Sequence, residues 1–245
     1  MKKSKMMSNA PFHVNILTLF PDMFPGTLGQ SLAGKALDNQ KWSYNAINIR
    51  DHAEGVHKTV DDTPYGGGAG MVMRADIIEK ALLSIPKAGR KIYMSPRGTP
   101  LSQDLVKHLA QEDILTILCG RYEGVDQRVL DAHNIEEISI GDYVLSGGEP
   151  AATIMLDACI RLLPGVMGNT NTVNEESFSQ HAQGKLLEYP HYTRPDTWID
   201  SNGAQREVPD ILKSGHHKNI NEWRAQKSLE ITRAKRPDLL VKKDK

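Results

Sequence analysis

Asp113 to Ala151 reads DILTILCGRYEGVDQRVLDAHNIEEISIGDYVLSGGEPA, and its punctuation decides the fold. An apolar run, Asp113 to Leu118, ends at Gly120-Arg-Tyr-Glu-Gly124, which turns into a helical stretch from Val125 to Ala132. A second run, Ile135 to Ile140, ends at Gly141, and the helix from Glu149 to Leu163 follows, with Pro150 tolerated in its first turn and Pro164-Gly165 as its stop. Strand, glycine turn and helix thus repeat twice in succession.

Upstream the same alternation holds. His13 to Phe20 reads as a strand stopped by Pro21, Ser31 to Leu37 as a short helix, and Tyr44 to Ile49 as a second strand. Ile77, Ile78, Ala81, Leu82 and Ile85 give Arg74 to Ile85 a helical period. Lys91 to Met94 is a strand, Ser95-Pro-Arg-Gly98 a turn, and Ser102 caps a helix that runs to about Gln111. Alternating strands and helices predict an α/β fold built on a mostly parallel sheet, and such sheets bind ligands beyond the carboxyl ends of their strands. Three strands end in loops of glycine, proline and small polar residues: Tyr93 to Gly98, Gly120 to Gly124 and Ile140 to Gly148. If these strands are neighbours, one pocket is built from all three.

After Met167 the chain turns polar, and residues 168–187 read as a linker between residues 1–167 and a second domain, residues 188–245. The latter carries Tyr189-Pro-His-Tyr-Thr-Arg-Pro195 and a helix from Ile220 to Lys235. Formal net charge is zero, yet from Lys213 onward there are 10 Lys and Arg against 4 Asp and Glu, a basic end suited to a polyanionic partner. No run of apolar residues is long enough for a signal peptide core or a membrane span, and Cys119 and Cys159 form no CxxC pair, so we expect a cytoplasmic protein without a structural zinc site or disulfide framework.

The glycine loop Gly66 to Gly70 lacks the lysine of a P-loop, and no strand leads into GxGxxG. His52-Ala-Glu54 has the HxE spacing of zinc deaminases without their PCxxC partner. A pocket of backbone groups with few cations can read an adenine edge but is poorly suited to a triphosphate. It fits a phosphate-free adenosine compound such as S-adenosylmethionine, or else the glycines only serve tight turns.

Four segments carry a resemblance: PYGGGAGM at 64–71, GRYEGVDQRV at 120–129, SIGDYVLSGGE at 139–149 and HYTRP at 191–195. In order and spacing they resemble the bacterial tRNA (guanine-N1) methyltransferases of the TrmD family, and the similarity reaches RPDLL at 236–240. The resemblance implies a SPOUT fold with a deep trefoil knot and a small helical carboxyl-terminal domain. It implies a homodimer that transfers methyl from S-adenosylmethionine to N1 of the tRNA guanosine 3′ of the anticodon. By motif match the donor would contact Tyr93, Met94, Ser95, Pro96, Gly120, Tyr122, Glu123, Ser139, Ile140, Gly141, Asp142, Tyr143, Val144, Leu145, Gly147 and Gly148. Here the glycines would let the donor lie against the main chain.

The resemblance also implies that Arg161 faces guanine O6 and that a carboxylate removes the N1 proton. Where the family has an aspartate, this chain has Glu176, one methylene longer, with Glu175 beside it as a rival. Candidate tRNA contacts are His191, Arg194, Lys213, Arg224 and Lys227. Some family members use Mg2+, but the sequence has no clustered ligands for a fixed metal site. The alternatives are another SPOUT methyltransferase acting on the ribose 2′-OH, or a non-catalytic RNA-binding protein of the same fold.

Overall fold

The structure, a computed structural model, describes residues 12–168, 176–182 and 184–241. They divide into two compact units with the boundary at Gly168. In the first unit, β1 (Phe12–Thr18), β2 (Trp42–Asn48), β5 (Arg90–Pro100), β6 (Ile114–Leu118) and β7 (Glu136–Ser139) form one parallel sheet in the order β2-β1-β6-β5-β7. A small antiparallel pair, β3 (Asp61–Asp62) and β4 (Val72–Met73), flanks the PYGGGAGM loop.

Alternation along the strands sorts the core into two layers. Val14, Ile16, Ile92, Leu115, Ile117 and Ile138 cluster with α1 (Ser31–Asp38), α3 (Gln103–Leu109) and α5 (Gly148–Ile160). Leu17, Tyr93 and Leu118 cluster with α2 (Ala75–Leu83) and α4 (Gln127–Ala132). α5 is buried along Ala151, Ala152, Met155, Leu156, Cys159 and Ile160, a stripe at helical spacing. Ser102 caps α3 as expected, its hydroxyl accepting from Leu105 N at 3.3 Å.

β5 departs from the expected short strand followed by a turn. It pairs Met94 with Ile138 of β7, leaves the ladder over Ser95 to Gly98, and returns to pair Thr99 with the same Ile138. Leu101 N then donates to Ser139 O at 2.8 Å. At the return, a Cβ on Gly98 would lie 2.3 Å from Ile138 N, so the strands meet backbone to backbone where only glycine fits.

The described residues of the second unit include two short antiparallel hairpins and two helices. Residues expected as linker form the hairpin of β8 (Ser179–His181) and β9 (Gly184–Leu186), and Gly184 bridges to Leu240 near the end of the chain. A second hairpin, β10 (Thr197–Ile199) and β11 (Gln205–Glu207), is turned by Asp200, whose carboxylate accepts from Asn202 N and Ala204 N. The helices are α6 (Asp210–Lys213) and α7 (His217–Lys235). Thr232 on α7 is buried and takes Leu187 N at 2.8 Å, which seats the strand beside the helix. Among the described residues no helix is long and apolar enough to cross a membrane.

Candidate donor cleft and the residues around it

Because β6, β5 and β7 are neighbours, the loops at their carboxyl ends converge. They line one cleft that gathers fifteen of the sixteen expected donor residues. The exception is Asp142, which is exposed and does not line it. Arg121, Gly124, Ile138 and Ala151 line it in addition.

Most of the glycines here are required by the protein's own packing, whatever else lies against the main chain. A Cβ on Gly120 would fall 2.7 Å from the Tyr93 ring, one on Gly147 would fall 2.4 Å from Arg121 Nε, and one on Gly148 would fall 2.9 Å from Cys119 Cα. Gly148 N donates to Gly120 O at 2.9 Å, so the start of α5 is laid directly on the end of β6. Gly141 is different. Its φ of +148° favours glycine, and the nearest atoms belong to the half-exposed side chain of Tyr143, which can swing aside.

The electrostatics of the cleft are set by three residues. Arg121 is the one basic side chain in its lining, and it is committed: Nη2 lies 2.9 Å from Glu149 Oε2, Nη1 donates to Ser146 O at 3.2 Å, and the guanidinium sits 4.3 Å from the centre of the Phe20 ring. Glu149 is 1% exposed and accepts a 2.6 Å hydrogen bond from the buried Thr18 hydroxyl. Arg121 and Glu149 meet as a close ion pair without aligned hydrogen bonding, which leaves Arg121 Nε and Glu149 Oε2 buried and without a hydrogen-bond partner among the described residues. Removing one member of such a pair costs about 3–5 kcal/mol, because the other charge stays buried alone.

With Arg121 neutralised, the remaining charge in the lining is Glu123. Its amide donates to Met71 O at 3.0 Å, and its carboxylate fills the space beside Gly70, so the PYGGGAGM loop meets the cleft there. The Glu123 carboxylate, which has no ion-pair partner among the described residues, and the half-exposed rings of Tyr122 and Tyr143 suit a cation better than a phosphate. S-adenosylmethionine, with its sulfonium and ammonium, fits that balance. Beneath the cleft, burial above all raises the Tyr93 hydroxyl's pKa, with the Glu137 charge adding to it, and burial followed by Glu149 pushes the Cys119 thiol well up.

The two candidate catalytic residues fall in different units. Arg161 follows the last turn of α5, its amide donating to Asp157 O at 3.2 Å, and lines a separate pocket with Gln30, Ser31 and Asp157. Glu176 belongs to the second unit, in the turn before β8, where its carbonyl accepts from Ser179 N at 3.2 Å. Phe178 in that turn has a φ of +69° and donates its amide to Leu186 O at 2.7 Å. Glu175 lies outside the described residues.

The candidate tRNA contacts all fall in the second unit, and most have partners there. His191 is 2.9 Å from Glu188 with Tyr189 beside it, Lys213 is 2.7 Å from Asp210, and Lys227 is 2.7 Å from Glu230. The Arg224 guanidinium stacks 4.8 Å from the centre of the Tyr189 ring, and Arg194 is exposed ahead of Pro195. Hydrogen bonding to Asp210 raises the Lys213 pKa. Among the described residues no group of three or more His, Cys, Asp or Glu side chains could hold a metal ion.

Sequence reasoning missed Arg121 and Glu149. Both stand inside glycine motifs that drew attention to the backbone. A usable signal was there: a carboxylate at the start of an otherwise apolar helix needs a cation if it is buried.

Comparison with known proteins agrees along nearly the whole chain. A family model described as tRNA (Guanine-1)-methyltransferase TrmD matches residues 12–242. The tRNA (guanine-N(1)-)-methyltransferase of Rhodospirillum rubrum is 57% identical over 225 residues, 91% of this chain and 90% of the relative. The protein of that name from Wolbachia pipientis wMel is 53% identical over 94% of this chain and 95% of its own length, and that from Brucella ovis is 55% identical over 93% and 91%. With a matching family model and relatives of more than half identity over more than nine-tenths of its length, the chain belongs to the tRNA (guanine-1)-methyltransferase TrmD family.

Proposed function

We propose that this enzyme transfers the methyl group of S-adenosylmethionine to N1 of the tRNA guanosine immediately 3′ of the anticodon, position 37. The observation that carries the donor assignment is the cleft itself: three parallel-strand ends, a neutralised arginine and a spare carboxylate. When bound there, the donor supplies a methyl group on a cationic sulfur. Backbone groups of Ile140 to Leu145 and the Met94 to Pro96 excursion would hold the adenosine, and Glu123 would face the positive end.

Guanine N1 carries a proton at neutral pH and attacks only when that proton leaves. Glu176 accepts it, and Arg161 stabilises the negative charge that gathers on O6. The N1 electron pair then forms the new N–CH3 bond while the S–CH3 pair stays on sulfur, giving S-adenosylhomocysteine. The proton ends on Glu176 and leaves to solvent with product.

Membership of the family supports a knotted path, and the backbone meets its neighbours closely at Gly98 on β7 and Gly148 on β6, where such a path would be tightest. The length of α5 supports a site shared between two copies. At 1.5 Å per residue, Arg161 stands about 20 Å along the helix from Gly148, too far to reach a methyl group in the cleft of its own subunit. A homodimer in which one copy supplies the cleft and the other the linker region and tRNA-binding residues 188–245 removes that gap.

The direct test is incubation of the chain with methyl-labelled S-adenosylmethionine and tRNA transcripts bearing G37 or A37, followed by nucleoside analysis. We expect label only in 1-methylguanosine and only with G37. Label in a 2′-O-methylnucleoside would mark a ribose methyltransferase, and RNA binding without label would mark a non-catalytic relative.

A further inference from the structure

We propose that Arg121, held by Glu149 and Thr18, is a positioning residue that sets the width of the donor cleft; the proposal rests on the donor assignment above. Arg121 belongs by sequence to one wall, the Gly120 to Gly124 loop, while its side chain reaches the other. Nη1 binds Ser146 O, and Gly147 packs its Cα against Nε so closely that no side chain fits between them. The guanidinium is therefore a spacer of fixed size between the two walls.

The spacer is itself fixed from behind. Thr18 receives Phe20 N at 2.9 Å and donates to Glu149 at 2.6 Å, and Glu149 pairs with Arg121 at 2.9 Å. The Phe20 ring closes over the guanidinium plane. Exits from β1, β6 and β7 are thus joined through one planar group that donates from Nη1 to Ser146 O while Nη2 faces Glu149, an arrangement that a lysine point charge cannot reproduce. A polar assembly kept this dry at a ligand cleft serves orientation, because an apolar set of the same volume would fill the space without holding the Ser146 carbonyl.

Two variants separate positioning from general stability. Arg121→Lys keeps the charge opposite Glu149 but loses the fork. The double variant Arg121→Met with Glu149→Gln leaves no lone buried charge, so it folds even if the single variant does not. Melting temperature and the Kd for S-adenosylhomocysteine, measured by calorimetry well below melting, are the two readouts. We expect the double variant to melt within a few degrees of the native chain and to bind at least tenfold more weakly, with Arg121→Lys weakened alike wherever it folds. Native-like affinity in the double variant would overturn the proposal and leave the pair a stability element only. Failure of the native chain to bind S-adenosylhomocysteine would overturn the donor assignment, and this proposal with it.

Discussion

The proposed proton acceptor, Glu176, is a single side chain, so the sharpest test of the chemistry is made there. Glu176→Gln keeps volume and hydrogen bonding but cannot take a proton, and we expect kcat to fall about 100-fold or more while donor affinity stays within twofold. Glu176→Asp keeps a carboxylate on a side chain one methylene shorter, and activity within tenfold of native is expected. Near-native turnover in Glu176→Gln would remove Glu176 from the role of base and point to Glu175 or a water. A second residue-level expectation concerns pH. Burial pushes the Cys159 thiol from 9.0 up to about 12, so the folded chain keeps a proton that the unfolded chain releases. That stabilisation is complete below pH 9 and is lost as pH rises from 9 to 12, by about 1.4 kcal/mol per pH unit. Cys119 acts in the same direction. Urea melts from pH 8 to 11 should steepen above 9, and Cys159→Ala should flatten that slope by one proton. At this scale the sequence was legible where chemistry is carried by motif, as with the cleft loops. It was silent on the packing at Gly147 and Gly148, because spacing alone does not tell that Arg121 and Cys119 occupy the space a side chain would fill.

Elements are held in place here by backbone contact as much as by apolar burial. Where β5 returns to β7, an added methyl at Gly98 meets main-chain atoms that cannot move separately from the sheet. Gly98→Ala should therefore cost about 3 kcal/mol, as overpacking does, and lower the melting temperature by several degrees. Gly168→Ala, with nothing among the described residues within 4 Å of its added Cβ, is the control and should fall within about 0.5 kcal/mol of native. A neutral Gly98→Ala would mean that the excursion over Ser95 to Gly98 is free to relax. β6, α4, β7 and α5 follow the sequence pattern to within a few residues, because apolar runs and glycine stops are local signals. The return of β5 to the same partner residue is a non-local pairing and leaves no periodic trace. The β8–β9 hairpin was read as linker for a related reason: strands of three residues such as Ser-Gln-His carry no alternation to detect.

Across the whole molecule, the separation of Arg161 from the cleft along α5 argues that activity belongs to a pair of chains. That inference can be tested without a structure of the pair, because two differently crippled chains should repair one another. Glu176→Gln removes the base and spares the cleft, while Gly141→Val spoils the cleft, where φ is +148° and the added atoms meet Tyr143, and spares the base. In a mixed dimer, the cleft of the first chain faces the base of the second and forms one intact site, while the other site carries both defects. Random re-pairing makes about half the dimers mixed, so activity should recover to roughly a quarter of native after mild dissociation and mixing. If each chain completed its own site, every site in the mixture would carry one defect and no activity would return. Recovery near a quarter therefore requires the cleft and the base to come from different copies.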